Sequence, residues 1–368
     1  MAKIPHPPGE PLKPASRAAL VRFAAIGLVL AACGSAFAYT AGWLGPQRLG
    51  PGRIVDALEA HDGKHESFRR AHAKGICFTG WFESDGQGLN LSRASVFSPG
   101  RYPVIGRFST GGGIPDAGDG RNVFHALALS FSLPHGEQWR TAMNHVPIFP
   151  VATPQAFYEF QKATTPDPVS GKPDPAKVQT YLAAHPETRA FMQWLKDNPL
   201  PSSFTNADYY SVNAFLFTNA AGRERAVRWS LVPEARFEAL DKAHLSALPR
   251  DFLFDDLVAR LDQGPARWSL RLTAAEDGDP VNDATKQWSQ GHPYVEAGTL
   301  VVQRAVTEDE GPCRDITFDP LILPSGIAAS DDPLLSARSA AYSVSLTRRS
   351  GEPVQPSALA RITAEPRP

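Results

Sequence analysis

The chain has 368 residues, 42% of them hydrophobic, 10% aromatic and 20% charged, a soluble-globular composition that excludes wholesale disorder, collagen and a disulfide miniprotein. Lys plus Arg (37) and Asp plus Glu (38) balance to a net charge of -1, so the chain lacks the bulk positive charge that holds nucleic acid non-specifically. Thirty-four prolines and 29 glycines predict long ordered connections rather than a helical bundle.

Residues 1–22 form a basic tail, with Lys3, Lys13, Arg17 and Arg22 against Glu10. Phe23 to Leu44 carry no charge and can cross a bilayer core as a helix. Basic residues on the N-terminal side predict a cytoplasmic N-terminus and an exported remainder, residues 45–368. Three forms of export compete. The uncharged length fits a retained signal anchor, Ala36-Phe37-Ala38 fits a cleavage site, and Leu30-Ala31-Ala32-Cys33 resembles a lipobox.

Gly45 to Gly52 reads as a linker and Arg53 to Ala60 as a short helix after Pro51. Ile76 to Phe82, Tyr102 to Ser109 and Val123 to Phe131 alternate or run apolar at strand length. Pro166 to Pro175 is a proline-rich connection, and Phe191 to Leu195 shows helical periodicity. Tyr209 to Phe217 and Arg225 to Val232 flank Asn219-Ala220-Ala221-Gly222, a hairpin turn by its chemistry. A helix over Phe252 to Leu261, strands over Arg267 to Thr273 and Thr299 to Val306, and a helix over Leu334 to Tyr342 complete the pattern. Many short strands with inserted helices and no βαβ rhythm predict an α+β fold built on a closed antiparallel barrel.

Three cysteines occur, Cys33, Cys77 and Cys313, with no CxxC, which excludes a zinc ribbon or a thioredoxin motif. Cys77 and Cys313 can form at most one bridge. Gly111-Gly112-Gly113 lacks phosphate-loop spacing and reads as a turn. His61 and His65 stand at i and i+4, but Asp62-Gly63 between them weakens a helical metal pair. Asp332-Pro333 is a helix start, which puts Arg338 and Tyr342 one turn apart on one face. A cation so placed favours the phenolate, and a phenolate can ligate ferric iron. His72 stands before an apolar strand, Arg107 lies within one and needs an anion if buried, and Asn144-His145 precede an apolar turn. Taken singly, each of these is an ordinary structural residue.

Taken together, they resemble the haem catalases. His72-Ala73-Lys74-Gly75 resembles that family's distal-histidine segment, and Arg107-Phe108-Ser109-Thr110 its R-F-S-T strand. Phe318-Asp319-Pro320, Leu323-Pro324, Gly326-Ile327, Asp332-Pro333-Leu334 and Arg338-x-x-x-Tyr342 resemble, in order, the segment with the proximal tyrosine. The chain leaves no room for the usual C-terminal helical region. Tyr210 to Phe215, Asn282 to Thr285 with Trp288, and the N-terminal apolar segment look like the smaller bacterial catalase-related peroxidases.

The resemblance implies a barrel of about eight strands around a buried haem b. It implies His72 and Asn144 as catalytic residues, with Ser109 orienting His72. It implies Tyr342 as axial iron ligand, Arg338 hydrogen-bonded to its phenolate, and Arg69, Arg107 and Arg349 on the haem propionates. Tyrosine is the known haem ligand of catalases, so that assignment is inherited and not independent. The implied reaction reduces hydrogen peroxide or an organic hydroperoxide with a small organic electron donor. The implied place is a bacterial inner membrane, single-pass with a periplasmic catalytic domain, or the periplasm after cleavage. A homo-oligomer smaller than full catalases would follow from the short chain. One stretch departs from the family: where catalases carry Asn-Asn-Thr-Pro and paired phenylalanines, this chain keeps Asn144, Pro147 and Phe149 but has His145, Val146 and Pro150. Phe149 and Phe157 match aromatics of the wall over the haem. The departures weigh against strong oxygen release from H2O2 alone, and the resemblance to the catalase-related peroxidases, more than these residues, implies peroxidase turnover.

Overall fold

A computed structural model describes residues 17–40, 49–121, 124–289 and 291–359 of the chain. It divides into two units, Met1–Gly50 and Pro51–Pro368. In the first, α1 runs over Arg17–Thr40, 24 residues with no buried side chain, long and apolar enough to cross a membrane. Its helix takes in Arg17 and Arg22, so these basic residues belong to the helix and not to a preceding tail. Residues 45–48 of the expected Gly45 to Gly52 linker lie outside the described residues, and Pro51 and Gly52 already belong to a helix.

The second unit begins with α2 (Pro51–Asp62), which ends where Gly63 takes a left-handed φ of 88° and donates to Glu59 O. Four strands follow: β1 (Gly75–Ser84), β2 (Gly100–Thr110), β3 (His125–Ser132) and β4 (Gln138–Asn144). The Val123 end of the expected third strand lies outside the described residues. Three helices are inserted next, α3 (Pro154–Thr164), α4 (Pro175–Ala184) and α5 (Thr188–Asp197). Sequence periodicity identifies only α5. The other two are marked by Thr153-Pro154 and Asp174-Pro175, whose Thr and Asp side chains cap Ala156 N and Ala176 N.

The remaining elements are β5 (Tyr209–Tyr210), β6 (Phe215–Thr218), β7 (Glu224–Pro233), α6 (Phe252–Gln263), β8 (Ala266–Ala274), β9 (Tyr294–Val306), β10 (Ile327–Ala329) and α7 (Pro333–Ser350). The Asn219–Gly222 turn is built as its chemistry predicts: Asn219 Oδ1 accepts from Ala221 N and Arg223 N, and Gly222 has φ 78°.

Antiparallel pairing runs β1–β2–β3–β4–β5–β7–β8–β9 and returns to β1, closing an eight-stranded barrel. β6 continues along the edge of β7 that β5 occupies, and β10 pairs with β6. The break between β5 and β6 places Val212 at a left-handed φ of 64°.

Period-2 alternation sorts the strands into two faces. Phe78, Phe108, Leu129, Phe131 and Trp139 fill the barrel, with Phe131 stacked on Trp139 at 4.9 Å. Each such buried side chain contributes roughly 2–3 kcal/mol. Cys77, Arg107, Ser109, Ala128, Ala142 and Asn144 take the alternate positions, and this second face carries the site.

Candidate active site

A cavity of about 620 Å³ lies against that second face. The barrel contributes Arg107, Ser109, Ala126, Ala128, Ala142 and Asn144, whose small alanines leave room above the strands. The opposing wall is a stripe of α7: Leu334, Arg338, Tyr342, Ser345 and Arg349 recur at helical spacing. Asp332 Oδ1 accepts from Leu334 N at 2.9 Å, so the expected Asp-Pro start sets the phase of this stripe. Phe149, Phe157, Phe191 and Leu195 form an apolar side, and Val212 and Asn213 reach in from the β5–β6 break.

His72 has φ 55°, a left-handed backbone uncommon outside glycine, at a residue that lines the cavity. Its Nδ1 lies 3.0 Å from Thr110 O. A carbonyl only accepts, so Nδ1 carries the proton and Nε2 is the basic nitrogen. The family resemblance gives the orienting role to Ser109. Here Ser109 lines the cavity, and the Thr110 carbonyl holds the ring. Burial, and then the charge of Arg107, lower the His72 pKa to about 4, so the imidazole is neutral at pH 7.

Asn144 ends β4 opposite Tyr210 and Ala126 and faces the same cavity. His145 beside it is 4% exposed. Its Nδ1 lies 3.1 Å from His125 N and 3.4 Å from His125 O, and among the described residues its Nε2 has no hydrogen-bond partner. His125 packs on His145 at 5.3 Å, and among the described residues neither of its ring nitrogens has a hydrogen-bond partner. Burial lowers the His145 pKa to about 4 and that of His125 well below the usual value.

On α7, Arg338 does not donate to the Tyr342 oxygen, the bond that the resemblance implies. Its guanidinium donates to Asn213 Oδ1 and, at 3.2 Å, to Ala142 O. Asn213 in turn donates to Asp332 Oδ2 at 2.7 Å. The chain Asp332–Asn213–Arg338 thus ties the start of α7 to the β5–β6 break and to β4, which fixes the helix carrying Tyr342.

Arg69, Arg107 and Arg349 meet at one end of the cavity around Glu308, a buried carboxylate from the loop after β9. Arg69 donates to Glu308 Oε1 at 2.5 Å and to the carbonyls of Cys313, Arg314 and Ile316. Arg349 donates to Arg314 O at 2.7 Å. Burial raises the Glu308 pKa, but the guanidiniums of Arg107 and Arg69 outweigh it and hold it at about 2. Cys77 and Cys313, which the sequence leaves open, form a disulfide that staples this loop to β1.

The lining fits a haem. Three arginines and one buried glutamate leave a formal charge of +2, which matches the two propionates of haem b. Apolar and aromatic side chains suit a porphyrin face, and the donor set holds both a phenol and an imidazole with a basic nitrogen. The His61–His65 pair does not form a metal site: α2 ends at Asp62, and the two rings bond to Asp62 Oδ1 and Asp62 O. Among the described residues no cluster of three or more His, Cys, Asp or Glu could hold a metal ion.

Sequence reasoning missed Glu308 and Asn213. Glu308 stands in Thr307-Glu308-Asp309-Glu310, an acidic run that reads as a solvated loop, and only its tertiary partners distinguish it. Asn213 lies in the Tyr210 to Phe215 segment, but nothing local marks its link to Arg338.

The family model for catalase matches residues 34–356. A "Catalase-related peroxidase" of Synechococcus elongatus is 36% identical over 81% of this chain and 88% of its own. A second, from Mycolicibacterium paratuberculosis, is 32% identical over 82% of this chain and 96% of its own. Among solved structures, catalase A from Saccharomyces cerevisiae has a TM-score of 0.71 at 21% identity, covering 83% of this chain. The chain spans 66% of that catalase, whose likeness shows the fold. By its matching family model and by these relatives, the chain belongs to the catalase family.

Proposed function

We propose that this chain is a haem-dependent peroxidase. It reduces hydrogen peroxide or an organic hydroperoxide with a small organic electron donor, and releases little oxygen from H2O2 alone. One observation carries the reading: a single cavity is lined by the neutral His72 imidazole, the Asn144 amide, the Tyr342 phenol and an arginine cluster. Tyr342 would hold the iron through its phenolate oxygen, and Arg69 and Arg349 would bind the propionates. When bound, haem supplies the redox chemistry of O–O cleavage.

The residues of the chain move the proton and exclude water. His72 Nε2 takes the proton of the bound hydroperoxide and returns it to the departing oxygen. The Thr110 carbonyl keeps the ring in the tautomer that makes this possible. Asn144 offers an amide N–H to the peroxide, and Phe149 and Phe157, stacked at 6.1 Å, help to keep the cavity dry.

Weak oxygen release is supported by the similarity to the catalase-related peroxidases and, to a lesser degree, by His145, Val146 and Pro150, which replace family residues after Asn144. The retained Asn144 favours a second reading, a catalase proper. Export is supported by the Cys77–Cys313 disulfide, since cytosolic thiols stay reduced, and by the length and apolar character of α1. An anchor in the membrane would bring lipid hydroperoxides within reach as substrates.

The test is a pair of assays on the haem-loaded full chain: oxygen release from H2O2, and oxidation of an organic donor by H2O2 or an alkyl hydroperoxide. Donor oxidation with little oxygen is the expected result. Rapid oxygen release would favour the catalase reading, and a haem spectrum unchanged by peroxide would leave only a haem-binding module.

A further inference from the structure

We infer that Glu308 is a positioning residue for His72, acting through Arg107. The inference deepens the peroxidase reading and rests on it for its meaning in catalysis.

Arg107 is 2% exposed and Glu308 6%. Arg107 Nε donates to Glu308 Oε1 at 2.9 Å and Nη2 to Oε2 at 3.1 Å, a bidentate pair. Nη1 donates to His72 O at 2.8 Å and Nη2 to Ala73 O at 3.0 Å. These four bonds leave one N–H of the guanidinium's five. The planar fork of Arg107 thus joins an internal carboxylate to two consecutive backbone carbonyls, and one N–H remains for the propionate that the family resemblance implies.

Those carbonyls belong to His72 and its neighbour, where the chain takes its left-handed conformation. Ala73 N donates to Gly112 O at 2.9 Å, which ties the same segment to the loop after β2. A left-handed histidine persists only where its surroundings over-determine it, and Arg107 supplies that constraint. Arg107 itself reaches the carbonyls because Gly75 has no side chain: a Cβ there would lie 2.3 Å from the guanidinium carbon. Glu308 fixes the rotation of the fork. The loop that carries it is anchored five residues on by the Cys77–Cys313 bridge. The path is continuous: disulfide, loop, Glu308, Arg107, His72 backbone, imidazole.

The test compares wild type with Glu308→Gln, which keeps the shape and loses the charge. The first readout is the ring ¹⁵N spectrum of His72 in the haem-free full-length chain. Wild type should show one tautomer, with the proton on Nδ1, and the variant a mixture. The second readout uses haem-loaded protein: kcat/KM for peroxide should fall roughly tenfold or more, with KM for the donor unchanged. A single Nδ1–H tautomer in Glu308→Gln overturns the assignment. The tautomer is read without haem, so loss of all peroxide reactivity in wild type would sink the peroxidase reading and leave this comparison decisive for Glu308. If the Gln variant does not fold, Glu308→Asp decides by the same readouts: a tautomer mixture supports the assignment, and a wild-type spectrum with a wild-type rate overturns it.

Discussion

His145 should make the protein more stable at acid pH when it is removed. The perturbation is His145→Asn, which restores the residue that the family pattern carries at this position. In the folded chain burial holds His145 at a pKa of about 4, against an ordinary 6.5. Above pH 6.5 neither the folded nor the unfolded state binds a proton there, and the residue has no pH-dependent effect. As pH falls from 6.5, the unfolded chain takes up a proton that the folded chain refuses, so stability is lost. The loss saturates below about pH 4 and approaches about 3 kcal/mol.

The assay is urea unfolding of the haem-free full-length chain at a series of pH values from 7.5 to 4. The difference in unfolding free energy between variant and wild type should rise towards acid pH by about 3 kcal/mol, whatever its value at pH 7. Taking this difference cancels the groups that do not interact with His145, including Asp119, whose burial raises its pKa to about 6 despite the Lys74 ion pair; His125, which the charge of His145 also holds down, is released in the variant and shifts the difference in the same direction. Parallel pH profiles for the two proteins would refute the reasoning and mean that His145 is accessible to protons in the folded state. The same variant should also raise oxygen release relative to donor oxidation.

Replacing both Cys77 and Cys313 by Ala opens a loop with a sequence separation of 236 residues. Denaturant titration should show a loss of up to about 5 kcal/mol on the chain-entropy model, and haem titration a weaker affinity as Arg69 loses its carbonyl cage. Gly75→Ala drives a Cβ into Arg107 and should cost about 1–3 kcal/mol, with a lower peroxide rate. An unchanged rate would mean that Arg107 moves without disturbing His72. Tyr342→Phe should lose haem or activity, read from the haem spectrum, and full loading with unchanged turnover would contradict its role. The acid limb of peroxidase turnover should sit near pH 4, where His72 takes its proton. A limb centred near 6.5 would show that the imidazole is solvated.

Much of this protein is local and hence written in the sequence. Alternation at Ile76 to Phe82 and Tyr102 to Ser109 gives β1 and β2, and Asn219 to Gly222 gives a turn whose side-chain bonds span only four residues. Asp332-Pro333 starts α7, and helical spacing alone puts Arg338 and Tyr342 on one face. The short motifs around His72, Arg107 and Tyr342 identify the family because each is contiguous. What the sequence could not decide is long-range. Only the closed barrel brings residue 308 to residue 107 and residue 213 to residue 338, and only burial turns Glu308 from one acid in a charged run into an ion-pair partner. The same holds for His72: its ring is held by the Thr110 backbone, and a carbonyl oxygen has no letter in the sequence. Side-chain chemistry is legible one residue at a time, but who bonds to whom across the fold depends on register and packing, which tertiary structure alone supplies.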